Sequence, residues 1–421
     1  MAADPDLREH KEMEIMVEAA PERPAPILGM ASIARMASNG IDLAPLKLEL
    51  LQKVATDPRE AGACLDISII ERLCGNLEAA DVFQSVALLR GRRFSSPLAR
   101  VSTNPFRLLA LTAPGDFMSN TPLEFLVEGR EVALEALYLK PDEDLPEILP
   151  DHDIAFVAVA EMDANQAILE KIARVAPSWP RPVVNQASNI ARLTRDGAWR
   201  LLHDASGIEF PPNLRIDRRG LAAVANGELS LSPPFLADYP IIVRPVGSHA
   251  GQGLRKIDSP REIIQLINEQ SASEFYVAPF IDYRSDDGLF RKFRVVLIDG
   301  APYAVHMAIS RDWMIHYLNA DMFDNEANRA EEARFMASFD EQFATRHADA
   351  LAEVHRRTDL DYVLLDCSET RDGKLLIFEV GTAMIVHMLD PAAVFPYKPP
   401  QMEKIFEAFE RMLRRKACSG L

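Results

Sequence analysis

A chain of 421 residues, 48% hydrophobic and 26% charged, has the composition of a globular protein long enough for two or three cored domains. Its 63 acidic against 46 basic residues leave a formal charge of −17. That balance argues against nucleic acid as the main partner, because duplex binding needs a basic surface, yet it still permits a local basic pocket for a small anion. Residues 1–26, "MAADPDLREHKEMEIMVEAAPERPAP", are charged and proline-bearing with no apolar core, and read as a flexible leader. Cys64, Cys74, Cys367 and Cys418 show neither CxxC spacing nor a His/Cys metal pattern and read as reduced thiols. No apolar run approaches the roughly 20 residues of a membrane-spanning helix. A cytoplasmic protein without a membrane partner is the simplest expectation.

Residues 27–100 read as a helical region. "DPREAGACLDISIIERLCG" has an Asp-Pro start, apolar residues at helical spacing and a stop at Gly75, and "NLEAADVFQSVALLRG" repeats the plan up to Gly91. The two make a helical hairpin that resembles one degenerate tetratricopeptide unit, either a partner platform or a cap packed on the main body. From Asn104 strands and helices alternate. "FRLLALTAP", "EVALEALYL", "IAFVAVAEM" and "RPVVNQ" read as strands, with helices in "TPLEFLVEGR" and "NQAILEKIARVA". The β-α-β-β-α-β order predicts a small open sheet, and no GxGxxG supports a dinucleotide site there.

"SNIARLTRDGAWRLLHDASG" reads as a helix stopped at Gly207, and the proline-rich "LSLSPPFLADYP" leads into "IIVRPVGSHAGQGLRKI". There a strand empties into a loop holding Gly247, Gly251 and Gly253, with Arg244 at its entrance. Glycines let backbone N–H groups turn towards phosphate oxygens, and an arginine supplies charge, although a plain hairpin turn remains open. "SPREIIQLINEQ" reads as a helix and "EFYVAPFI" as a strand. "FRKFRVVLIDGAPYAVHMAI" reads as a hairpin turning at Asp299-Gly300, and "YVLLDCSETRDGKLLIFEVG" as another turning at Asp372-Gly373. Between them lies a helical stretch, "DNEANRAEEARFMASFDEQFATRHADALAEVHRRT".

Asp366 and Glu379 lie on opposite strands of the last hairpin, within apolar runs. Folding that turn sets two carboxylates side by side, which is costly unless a cation sits between them, and an oxygen pair completed by water and phosphates suits Mg²⁺. In "RKFRVV", alternation puts Lys292 and Arg294 on one face and Arg291 on the other; the cations hold a phosphate or carboxylate, or pair with acids such as Asp286 and Asp287. His316 and Tyr317 in "WMIHYLN", with His387, are candidates for a substrate wall or structural hydrogen bonds.

Taken in order, glycine loop, linker strand, basic strand and paired acidic strands resemble the ATP-grasp superfamily. The particular likeness is to its branch with the ribosomal-protein glutamate ligase and glutathione synthetase. The resemblance implies an α+β fold: an ATP-grasp body of two α+β lobes (residues 191–282 with the glycine loop, 283–421 with the metal hairpin and a C-terminal helix) behind a small α/β sheet at 101–190. It implies an ATP- and Mg²⁺-dependent carboxylate-amine ligase that forms an amide through an acyl phosphate, acting on an amino acid, small metabolite or peptide. Arg195, Arg244, Gly247, Ser248, Gly251 and Gly253 are then the nucleotide's phosphate contacts, and Ala278, Phe280 and Ile281 its hinge. Arg294 and Arg244 are catalytic, Asp366 and Glu379 hold the metal, and Arg291, Lys292, His316, Tyr317 and His387 face substrate. The chain departs from the pattern at Gly197, where a lysine is usual, and at Gly381, where the family's Glu-x-Asn has its asparagine. These departures leave open a non-catalytic scaffold whose helical front binds a peptide or protein; an ATP-dependent kinase and a homo-oligomer are also compatible with the sequence.

Overall fold

The computed structural model describes residues 23–57, 59–97, 103–230, 239–248 and 251–419. The leader other than 23–26, most of "LSLSPPFLADYP" and the two central residues of the glycine loop lie outside the described residues. Within them no helix is long and apolar enough to cross a membrane.

The helical front contains a two-residue strand β1 (Ala25–Pro26) and helices α1 (Gly29–Ser38), α2 (Ala44–Thr56), α3 (Ala61–Leu73) and α4 (Leu77–Arg90). The α3–α4 hairpin follows the sequence reading, but the group is not an isolated repeat. β1 and a second short strand, β2 (Arg93–Ser95), join the edge of the next sheet, and α1 packs on the short helix that follows that sheet's central strand. Asp66, buried in α3, accepts hydrogen bonds from the backbone N–H groups of Leu28 (2.8 Å) and Gly29 (3.0 Å), pinning the start of α1. The front is therefore a cap on the main body.

Strands β3 (Phe106–Thr112), β4 (Val132–Tyr138), β5 (Ile154–Val157) and β6 (Val183–Val184) form the rest of this six-stranded sheet, in the order β1-β2-β4-β3-β5-β6. β3, β4, β5 and β6 run parallel, as their near-continuous apolar composition leads one to expect. Helix α5 (Leu123–Leu126) is a single turn rather than the longer helix read from "TPLEFLVEGR", since the chain reverses at Gly129, φ 75°. α6 (Gln166–Val175) matches its expectation.

The helix expected before Gly207 is two pieces, α7 (Ala187–Ile190) and α8 (Arg195–Leu202), because the Thr194 side chain accepts from Gly197 N and starts a new helix. β7 (Ile208–Glu209) follows. Next, β8 (Leu214–Asp217), α9 (Arg218–Ala225), β9 (Ile241–Pro245), β10 (Arg255–Ile257), α10 (Pro260–Glu269) and β11 (Glu274–Pro279) build a four-stranded antiparallel sheet, β10-β9-β11-β8. This lobe has its own small core, including Leu221, Val243, Ile263, Leu266 and Phe275.

The third sheet, β13-β12-β14-β15-β7, uses β12 (Phe290–Ile298), β13 (Ala301–Ser310), β14 (Tyr362–Glu369) and β15 (Leu375–Gly381). Both expected hairpins are present. Between them, α11 (Glu326–Ala337) and α12 (Ala348–Thr358) flank a π-helical turn, and α13 (Lys398–Ser419) closes the chain. Its core is continuous with that of the front sheet. The body is thus front sheet plus third sheet, with the four-stranded lobe cored separately, and their seam is where a ligand can be enclosed.

Asp66→Ala should lower stability by about 2–6 kcal/mol, since it strands one buried and one partly buried backbone donor at roughly 1–3 kcal/mol each. Urea unfolding followed by circular dichroism checks this, and a change under 0.5 kcal/mol would remove Asp66 as the anchor of the front.

Candidate nucleotide and metal site

The third sheet carries a transverse row of polar residues. Glu379 on β15 lies opposite Asp366 on β14, Asp366 opposite Arg294 on β12, and Arg294 opposite His306 on β13. Directly opposed residues on antiparallel strands share a face. The ladder slips between Arg294 and Val295 and again between Asp366 and Cys367, so both irregularities fall in this row. Such bulges re-aim side chains. The second leaves the carbonyl of Phe378 free to accept Arg195 Nη1 at 3.2 Å.

Asp366 is 2% exposed and takes Arg294 on both oxygens, Nε at 2.8 Å and Nη2 at 3.1 Å, with Lys292 Nζ 2.6 Å from Oδ2. Burial pushes this carboxyl up, but the two cations outweigh it and hold it well below the usual carboxylate range. Arg291 faces the other way, paired with Asp287 and Glu331. The alternation read from the sequence holds, and Arg291 is not brought to the site.

Glu379 belongs to a second group. Arg195, the first residue of α8, places Nη2 2.8 Å from Glu379 Oε1. Burial raises the Glu379 carboxyl, but Arg195 and Arg244 bring it down overall. Arg244 is nearly buried beneath the glycine loop, where Nε lies 3.3 Å from Ser248 Oγ and Nη2 donates to the Ser248 carbonyl. Burial, then the charge of Arg195, lowers its pKa to about 9, so it stays protonated at neutral pH. Gly247, Gly251 and Gly253 have φ of 76°, 76° and 66°, values that only glycine adopts without strain. The loop is a hairpin between β9 and β10, and Gly247 and Ser248 also roof a cavity.

This cavity, about 410 Å³, opens at the seam of the lobes. Its wall includes Arg195, Tyr276, Phe378 and Glu379, the N-terminal end of α8, and Glu161 just past β5. A helix N-terminus and the nearby guanidinium groups favour an anion. Glu161 was absent from the sequence reading; the available signal was its place beyond the carboxyl end of a parallel strand, where open sheets bind ligands. Burial, then the charge of Glu379, raises its pKa to about 7. Gly197 is structural: a Cβ there would sit 2.3 Å from the Arg192 carbonyl oxygen, so no lysine fits at this position.

Other sequence candidates lie elsewhere. Ala278, Phe280 and Ile281 do not line this cavity; Phe280 packs edge-on against Trp313 with centroids 5.6 Å apart. The Tyr317 hydroxyl donates to buried Glu332 at 3.1 Å and accepts from Lys398, while its ring stacks on His306 at 4.7 Å. The backbone N–H of His316 donates to Asn319 Oδ1, holding a short turn. His387 Nδ1 accepts from Leu389 N, and its ring lies 6.1 Å from that of Phe125 in the front domain. These residues form a polar layer beyond Arg294, outside the cavity wall.

The two acids expected to hold a metal sit differently. Among the described residues no three His, Cys, Asp or Glu side chains gather closely enough to hold an ion, so a cation here needs water and substrate oxygens, as Mg²⁺ takes them. Glu379 fits that role, because it lines the cavity, with Arg195 Nη2 2.8 Å from Oε1. Asp366 stands apart: Arg294 and Lys292 already neutralise it and it does not line the cavity, while Oδ1, which accepts from Arg294 Nε, keeps a lone pair.

In fold, the chain is similar to solved structures of ATP-grasp proteins. A RimK domain ATP-grasp protein from Sphaerobacter thermophilus is 14% identical, with a TM-score of 0.41, covering 74% of this chain and 99% of its own. The VanG D-Ala:D-Ser ligase from Enterococcus faecalis is 14% identical (TM-score 0.45, 74% and 100% covered). The D-alanine–D-alanine ligase from Bacillus anthracis complexed with ATP is also 14% identical (TM-score 0.45, 75% and 99% covered). No family model and no curated protein matches the chain.

Asp366→Asn should destabilise the protein by about 3–5 kcal/mol at pH 7, because it leaves two enclosed cations without their counter-charge. A depressed carboxyl stabilises in full above its unfolded value near 3.8 and progressively less as the pH falls towards the folded value. The gap between wild type and variant should therefore narrow below about pH 4 in denaturant titrations. A constant gap would remove Asp366 as the charged centre of the row.

Proposed function

We propose that this chain is an ATP-dependent carboxylate-amine ligase whose nucleotide phosphates lie in the seam cavity. The observation that carries the reading is one cavity between separately cored lobes lined by Arg195, the Gly247–Ser248 backbone and Glu379, with Arg244 bonded to Ser248. Arg195 shares the wall with the acids Glu161, Asp163, Glu274 and Glu379, so a polyanion bound here calls for an accompanying divalent cation.

In this reading the substrate carboxylate attacks the γ-phosphorus, ADP departs, and an amine attacks the acyl phosphate to give an amide and phosphate. Phosphoryl transfer asks the protein mainly for positioning and charge. Arg195 and the α8 terminus bind phosphate oxygens. Arg244, locked to Ser248, holds the glycine loop over them and keeps water from the labile acyl phosphate. Lys292 and Arg294, held in place by Asp366, present positive charge to the incoming carboxylate. A magnesium ion held by Glu379 would neutralise phosphate charge when bound. The carboxylate and amine are small molecules or peptide ends, as the enclosed volume suits them.

Arg244→Ala should weaken ATP binding about tenfold to a hundredfold, the worth of one charge-assisted contact of roughly 1.5–3 kcal/mol. Calorimetric titration of wild type and variant with Mg·ATP checks this. ADP release that requires both a carboxylate and an amine, with an amide product identified by mass, supports the ligase; a phosphorylated hydroxyl would replace it with a kinase. No ATP binding by wild type at millimolar nucleotide would leave a scaffold.

A further inference from the structure

The acid that faces Glu379 across the cavity comes from a different domain and fills a vacancy in β15. Glu161 lies beyond β5 of the front sheet, and its carboxylate occupies the room where position 381 has no side chain. A Cβ built on Gly381 would sit 2.7 Å from Glu161 Oε1 and 3.6 Å from Oε2. Gly381 does not have a positive φ, so the backbone does not demand glycine here; the approach of Glu161 does. Glu161 Oε2 is buried and has no hydrogen-bond partner, and neither does Thr382 Oγ1 in the next residue. A buried carboxylate oxygen left unpaired is costly, and so is a second carboxylate placed close to it. Arg195 lies 2.8 Å from Glu379 Oε1 and acts on Glu161 through its charge alone. Glu161 Oε2 therefore still lacks a bonded positive partner.

We infer that Glu161 and Glu379 together hold a divalent cation, with the front domain supplying the ligand that the β15 hairpin lacks. A hard cation such as Mg²⁺ or Mn²⁺ is satisfied by one or two carboxylates with the remaining positions on water and phosphate. The inference rests on the nucleotide reading above and adds a consequence to it. The site is complete only while the front sheet and the third sheet stay docked, so metal binding and the docking of the two stabilise each other.

The test uses the full chain and Mn²⁺ as probe, with free Mn²⁺ read by electron paramagnetic resonance. Wild type should bind one Mn²⁺ per chain. Glu161→Gln and Glu379→Gln should each weaken binding about tenfold or more, while Glu124→Gln, a control at another enclosed acid in the front domain, should leave it unchanged. Glu161→Ala empties the space beside position 381, and adding Gly381→Asn then offers an amide oxygen from the β15 side; the double variant should recover part of the affinity that Glu161→Ala loses. A merely structural Glu161 would show neither the loss nor the recovery. Unchanged Mn²⁺ affinity in Glu161→Gln, or no Mn²⁺ binding by wild type, overturns the inference. Titration of the same wild-type sample with ATP in EDTA reads the nucleotide site alone, so failure of the metal pair and failure of the nucleotide reading give different results.

Discussion

The arrangement depends on one buried carboxylate. Asp366 is fully buried after the apolar run Val363–Leu365, and a lone charge there would cost several kcal/mol of lost hydration. Two cations on the adjacent strand remove that cost, Arg294 by a two-pronged contact and Lys292 by a single one. Because the pair spans β12 and β14, it ties their register, which runs unbroken there, while the two bulges lie in the flanking pairings with β13 and β15. With Asp366 neutralised away from the cavity, Glu379 is the acid of the row that turns to it. The division of labour between the two acids follows from which of them the neighbouring strand can reach.

Separate cores give the seam its character. The front sheet and the third sheet share apolar packing, whereas the four-stranded lobe closes its core on itself. A ligand lying between a fixed body and a lobe with few shared core contacts meets a surface able to adjust on closing. The glycine loop belongs to the lobe and Arg195 to the body, so the two meet at the cavity from different sides of the seam. Arg244 stays within the lobe, where its guanidinium holds the Ser248 carbonyl.

The departures from the resembled pattern have physical causes. Position 197 admits no side chain, because the Arg192 carbonyl comes within 2.3 Å of where its Cβ would stand. The nearest charge is Arg195, two residues earlier in the same helix α8. At position 381 the room is taken by Glu161, over 200 residues earlier and from the front domain.

Period-two apolar runs, the Asp-Gly turns and the helix stops at Gly75 and Gly207 depend on neighbours in the chain, so the two hairpins, the helical pair and the α+β class were legible in the sequence. So was the pairing of Asp366 with Glu379, since a tight turn sets strand register, and so was the shared face of Lys292 and Arg294, which alternation dictates. Which cation meets which carboxylate was not legible, because Arg195 reaches Glu379 and Arg294 reaches Asp366 across sequence separations with no periodic signature. Glu161 was invisible for the same reason: it is one acid at the end of a strand until the third sheet folds against it. Local pattern decides which elements form and which way their side chains point, and only packing between distant segments decides which charges end up sharing one cavity.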